Sequence, residues 1–369
     1  RRWWPWPSTT RRCSPNSKPL SFSSMNAALL GLSHPHSGAL LTALENLREV
    51  RRVFLWDADP RAAEKNPGLP RSRKAAPPTG DLDTALAGGD FAIVAVRHDE
   101  AAALERRVLA AGKHLLAEKP VGLTAAEILP LQRAAAQAGL VAAVLYPRRA
   151  HPCAVAMRRH AAETGPLLSL EARFLATQVR FRAPRSWLFR RREAGGGILL
   201  WLGCHYLDLL QHVSGDEITG VAARLATRSG ERIEVEDTAA LTLEFRSGAL
   251  GTFHAGYALA HSGTGYLNAA GYDAYLALNG RAGRVVWPGV APRLQLELPS
   301  ARRTQTFRLR ETTSYAGAAG ETFVRQFLAA VRGRGTPPAT LADAVRTARL
   351  IEAAATSART GRFVRLAGS

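Results

Sequence analysis

Between Met25 and Tyr146 short apolar runs alternate with helical patterns, and no other feature of the chain limits its fold so strongly. The runs at 27–30, 53–56, 91–96, 114–117 and 141–146 read as strands, and helical patterns at 37–47, 100–111 and 124–138 separate them. The last helix opens with Thr124 followed three residues later by Glu127, a capping-box spacing. Strand and helix repeated in this way predict an α/β domain, a doubly wound parallel sheet covered on both faces. The Pro-rich segment 66–78 stands where a third strand is expected and reads as an irregular insertion.

Beyond Pro152 the pattern changes to alternating strands. "EDTAALTLEFRSGALGTFHAGY" reads as a hairpin around Ser247 and Gly248, and helical runs at 321–332 and 341–359 close the chain. A second, α+β domain with a largely antiparallel sheet follows. The 369 residues suit two such domains, 25–147 and 148–369, with the final helices able to pack back on the first. Residues 1–24 have no acid, no periodicity and no initiating methionine, and are expected to be disordered or a translated upstream stretch. Their paired arginines lack the apolar segment of an export signal.

Composition removes several classes of function. No apolar run approaches the ~18 residues of a membrane span. Cys13, Cys153 and Cys204 are far apart and lack metal-ligand spacing, so reduced thiols in a cytoplasmic protein are expected, with no disulfide framework and no metal. The net charge of +19 would suit nucleic acid, but the arginines are spread along the chain. Clusters at 180–192 and 302–310 lack interleaved aromatics, so neither nucleic acid nor membrane is an expected partner.

Three motifs carry chemistry. "ALLGLSHPHSG" ends the first strand and enters a helix where a dinucleotide's pyrophosphate would meet free amides. Gly31 takes the first glycine position of G-x-G-x-x-G, but Ser33 and His36 stand at the second and third. Ser33 could donate to a phosphate; equally, Pro35 could be the first helical residue, with His34 or Ser33 as its cap. In "VFLWDAD", Asp57 ends the second strand, where a carboxylate accepts from a ribose and repels a 2'-phosphate, favouring NAD over NADP. A plain turn aspartate is the alternative, and Arg61 nearby keeps NADP open. "HLLAEKPVG" places Glu118 and Lys119 beyond a parallel strand's carboxyl end, where such sheets bind ligands. Lys119 is one of five lysines in an arginine-rich chain and, unlike arginine, can surrender its proton when buried, unless it is merely an exposed loop lysine. Finally, "GGGILLWLGCHYLDLL" read as a helix puts Trp201 one turn before His205 and Asp208 just after, near one face.

Taken in this order, with "YPRRAHP", "VEDTAALTLEFRSGALGT" and "SARTGR", these motifs resemble the Gfo/Idh/MocA oxidoreductases across residues 25 to 366. The resemblance implies a Rossmann domain followed by a domain with a large open sheet that often forms a homo-oligomer interface. It implies proton transfer by Lys119, assisted by His205, at a sugar or polyol hydroxyl. Trp201 stands where the family has an aspartate; it could stack on a sugar ring or fill the domain boundary. Gly31, Ser33, His34, Pro35, His36, Asp57, Val96, Arg97, Glu118 and Lys119 are then expected at the cofactor. Tyr146, Arg149, Trp187, Arg190, Trp201, His205 and Asp208 are expected at substrate, with Arg149 alternatively at the cofactor and Asp208 alternatively orienting His205 or capping local backbone. In "VAVRHDE" Arg97 and His98 replace a Thr-Pro-Asn-like turn and are expected to add positive charge. The resulting expectation is a NAD-dependent oxidoreductase, its rivals a NAD-sensing binding protein of the same fold and a NAD-dependent glycoside-cleaving enzyme.

Overall fold

A computed structural model describes residues 24–366 apart from 60, 260–271, 289–291 and 311; the expectation for 1–24 falls, but for Ser24, outside the described residues. The first sheet contains β1 (Met25–Leu30), β2 (Val50–Trp56), β3 (Phe91–Val94), β4 (His114–Ala117) and β5 (Ala142–Val144), all parallel, in the order β2-β1-β3-β4-β5. Helices α1 (Ser37–Asn46), α2 (Ala62–Lys65), α3 (Leu82–Gly88), α4 (His98–Ala110) and α5 (Ala125–Gln137) lie between them. The centres of the strands are apolar and buried, β3 along its whole length, because helices cover both faces. At α5 the Thr124 hydroxyl accepts from the Glu127 amide, as its spacing predicts.

The missing third strand has a physical cause. Residues 74–79 run parallel to β2 and touch it through Val53–Ala75 and Trp56–Thr79, with the Ala76 amide donating to Val53 at 2.8 Å. Pro77 and Pro78 supply no amide, so the ladder breaks between these bridges. With that segment counted, the strand order is that of a dinucleotide-binding fold, whose ligand crevice opens where the order reverses, between β1 and β3.

Among the described residues the second sheet has nine strands, β6 (Leu167–Thr177), β7 (Ile218–Ala226), β8 (Thr238–Phe245), β9 (Leu250–Leu259), β10 (Asp273–Gly280), β11 (Gly283–Trp287), β12 (Arg293–Leu298), β13 (Arg303–Arg308) and β14 (Val364–Arg365). They run β13-β12-β11-β10-β6-β9-β8-β7-β14, with β6 and β9 parallel and the other neighbours antiparallel. β8 and β9 form the expected hairpin, turning at Gly248 with φ of 90°. Of the helices α6 (Pro152–His160), α7 (Arg191–Ala194), α8 (Cys204–Ser214), α9 (Ala318–Val331) and α10 (Leu341–Thr360), α6, α8 and α10 pack on one face. Thr242, Thr252 and His254 stand exposed on the other.

The final helices join the two cores. Phe323, Phe327 and Leu328 of α9 are buried against the first sheet, with Phe327 edge-on to Phe91 at 5.6 Å. α10 starts in that core with Leu341 and Val345 and ends in the second with Leu350 and Ala354. Among the described residues no helix is long and apolar enough to cross a membrane.

Gly31 follows β1 with φ of 100°, and a Cβ there would overlap the Ala95 carbonyl and the Val96 side chain. Gly31→Ala is therefore expected to lower stability by at least ~1–3 kcal/mol from backbone strain alone, read as a lower thermal midpoint. An unchanged midpoint would show that the turn can rearrange.

Candidate active site

The glycine turn and Asp57 hold each other. One Asp57 oxygen accepts from the Leu32 amide at 2.7 Å, the Ser33 amide at 3.1 Å and the Ser33 hydroxyl at 3.0 Å. Ser33 thus points its hydroxyl at the carboxylate. The helix begins at Ser37, later than the capping alternative required, and no side chain caps it. The Ser37 amide donates to the His34 carbonyl at 3.0 Å and the His36 amide to His34 Nδ1 at 3.2 Å, so it is chiefly the positive dipole end of the helix that is offered to an anion. Pro35 is exposed, and Val96 packs against Gly31.

His34 and His36 turn inward from this loop, and both are buried. His36 Nδ1 meets a Glu118 oxygen in a short contact; the other Glu118 oxygen accepts from the Lys119 amide and, at 3.4 Å, from the Tyr315 hydroxyl. The His36 ring lies between Trp201, stacked at 5.3 Å, and Tyr315 at 4.1 Å. The sequence reading expected no metal ligands, yet one ligand atom each from His34, His36 and Glu118 lie within 4.8 Å of one another.

Lys119 leaves the end of β4 and is 1% exposed. Its Nζ donates to the Trp201 carbonyl at 2.6 Å and sits 3.4 Å from the indole centroid. Burial draws its pKa below the ordinary 10.5, opposed by the Glu118 carboxylate and reinforced by Arg148.

Trp201 belongs to a wide π-helical turn, Leu199–Gly203, that leads into α8. Such turns recur at functional sites because they displace side chains from the regular helical stripe. Gly197 sets the entry: the Ile198 amide donates to the Glu236 carbonyl at 2.9 Å, and a Cβ on Gly197 would overlap that carbonyl. His205 follows on α8, buried, with Nδ1 making no hydrogen bond. Its pKa is held well below 6.5 by burial and then by the charges of Lys119 and Arg148. His205, His36, Arg148, Tyr272 and Tyr315 line a cavity of 40 Å³.

The other expected residues divide into two groups. Trp187 joins the ring cluster, 4.8 Å from His98 and 6.2 Å from Trp201, and Tyr146 lies 5.9 Å from His205. Arg97 and Arg190 instead share Glu193 at the rim, at 3.4 and 3.1 Å. Arg149 donates to Asp208 at 2.8 Å and reaches Asp343 at 3.1 Å, so Arg149 and Asp208 are engaged with each other. The expected charge on His98 needs correction: burial lowers its pKa to about 3, and it is neutral at pH 7. Tyr315, Arg148 and Tyr272 were not singled out. "YPRRAHP" held a signal for Arg148; Tyr315 sits in a loop without pattern.

Burial as neutral rings gives His34, His98 and His205 folded pKa values below their unfolded ones. Below about pH 6.5 the unfolded chain binds more protons than the folded one, so stability falls as pH drops. Each such histidine contributes a slope approaching ~1.4 kcal/mol per pH unit. Urea midpoints between pH 7.5 and 5 should decline; a flat profile would mean that these rings are solvated.

Known proteins bear on this arrangement. The family model described as "Oxidoreductase family, NAD-binding Rossmann fold" matches residues 25–146, and that described as "GFO/IDH/MocA C-terminal domain" matches 157–286. A 1,5-anhydro-D-fructose reductase of Ensifer adhaerens is 27% identical over 64% of this chain and 67% of its own length. A D-xylose dehydrogenase of Paenarthrobacter nicotinovorans is 33% identical, with only 34% of each chain aligned. Among solved structures, GenD2 from gentamicin A biosynthesis, in complex with NAD, is 25% identical and superposes with a TM-score of 0.77, covering 97% of this chain and 100% of that one.

Proposed function

The chain belongs to the Gfo/Idh/MocA oxidoreductase family, and from that premise we propose that it oxidises or reduces a sugar, cyclic polyol or derivative with NAD, using Lys119 as its proton-handling residue. The observation that carries the reading is Lys119 itself: a buried amine of lowered pKa at the end of a Rossmann strand, beside His205. The names of the Ensifer and Paenarthrobacter relatives support the substrate class.

The two ends of the crevice suit NAD differently. Asp57 and the uncapped start of α1 suit the ribose and the pyrophosphate. At the other end the rings of His34, His36, His98, Trp187 and Trp201 pack together, so a nicotinamide enters only as they part. Bound NAD supplies a hydride acceptor.

The residues then have distinct tasks. Neutral Lys119 takes the proton of the substrate hydroxyl during oxidation and, once protonated, returns it during reduction. His205, neutral and unpartnered at Nδ1, holds a hydrogen bond at the same oxygen. Trp201 closes the site against water and keeps Lys119 placed through its carbonyl. The exposed face of the second sheet is the proposed self-association surface.

A sugar and polyol panel followed at the NADH absorbance tests the reading. With Lys119 lowered from 10.5, the neutral base forms at lower pH, so oxidation should rise with pH and level off below pH 10.5, while reduction falls over the same window. A rate independent of pH would remove Lys119 from proton transfer. The packed rings favour one second reading, a NAD-responsive binding protein. It requires nucleotide binding without turnover of any panel member.

A further inference from the structure

We propose that His34, His36 and Glu118 form a binding site for a borderline divalent metal ion such as Zn2+. Two imidazoles and a carboxylate are a fitting donor set for such an ion, and three protein ligands leave one coordination position open. The trio is drawn from two separate loops, the turn before α1 and the end of β4, and each member is buried.

The surroundings hold these ligands in place. The Lys119 amide and the Tyr315 hydroxyl fix the Glu118 carboxylate, and Trp201 and Tyr315 confine the His36 ring from either side. Outer-shell bonds of this kind orient metal ligands and sharpen affinity. A second observation concerns His34: its Nδ1 accepts from the His36 amide at 3.2 Å, and its Nε2 is buried and makes no hydrogen bond, a nitrogen that a ligand would satisfy once the ring's proton has moved from it. The cavity lined by His36, His205 and Tyr315 gives an approach from the second sheet's side.

Ligation at His36 Nδ1 replaces that nitrogen's contact with Glu118, the ring's single N–H then standing on Nε2. Lys119 is the cation whose charge bears on both His34 and His36, and it turns its Nζ to the Trp201 carbonyl.

Calorimetric titration of the untagged full chain with Zn2+ alone, without nucleotide, tests the site independently of the proposed activity. One ion per chain is expected. Co2+ should give the visible absorption of a four- or five-coordinate site. His34→Ala and Glu118→Gln should each weaken binding by at least ~100-fold, above the ~10–100-fold of an outer-shell loss. His160→Ala, which removes a histidine paired with Glu163 elsewhere, should leave binding unchanged. If a ligand variant fails to fold, the wild-type Co2+ spectrum and stoichiometry still decide. Absence of saturable binding, or undiminished affinity in a folded His34→Ala/His36→Ala protein, would overturn the proposal.

Discussion

Replacing Lys119 with alanine is expected to lower turnover at least about a hundredfold while NAD still binds, because general acid–base assistance typically supplies ~10²- to 10⁴-fold. The side chain is 1% exposed and lies over the Trp201 indole, so its loss also leaves a void beside the rings. Lys119→Met fills most of that void without a titratable group. If both variants lose turnover equally and keep their NAD affinity, the missing amine is responsible. Near-normal turnover in Lys119→Met would remove Lys119 from the chemistry.

Arg149→Met should be the most destabilising of the single changes considered, by about 3–5 kcal/mol, the usual cost of leaving buried charges without their partner. Arg149 is 11% exposed and Asp208 3%, and Asp343 completes the cluster. Removal of the guanidinium leaves Asp208 without its cation beside Asp343, which keeps Arg346 and Thr340 as partners. The urea midpoint should fall with little change in slope, and Arg149→Met/Asp208→Leu should recover part of the loss. A folded Arg149→Met protein of normal midpoint but raised KM would instead make Arg149 a substrate residue. The distinction matters because the family resemblance implies Arg149 at substrate or cofactor.

The fold was legible because each sheet follows from periodicity. Strands buried on both faces are short apolar runs, and the β8–β9 hairpin alternates along its first arm up to Gly248. The third strand was not, since prolines at 77 and 78 hide a segment that still bonds to β2. Lys119, His205 and Asp57 could be singled out by residue type and by their place after a strand or within a helical stripe. Partners distant in sequence could not. Glu118 meets His36 from 82 positions away, and Arg149 meets Asp343 from 194, distances over which neither periodicity nor spacing carries information. The wide turn at Leu199–Gly203 was equally hidden, because a Trp and a His four apart suit a regular helix as well.

The charge of the site was misread for a related reason. A histidine in a polar stretch such as "VRHDE" looks protonatable, but His98 lies under Trp187 with its Nδ1 2.8 Å from the Ala194 carbonyl. Burial, which sequence does not reveal, decides its charge. The same burial draws the Lys119 pKa below its ordinary 10.5.

The most direct measurement is calorimetric titration of the full chain, freed of copurified nucleotide, with NAD and separately with NADP. One saturable NAD site per chain, tighter than NADP as the proposed place of Asp57 at the ribose requires, is the predicted result. Absence of binding by either nucleotide in folded protein would contradict the account, and would mean that the packed rings and the altered glycine turn have closed the crevice to its cofactor.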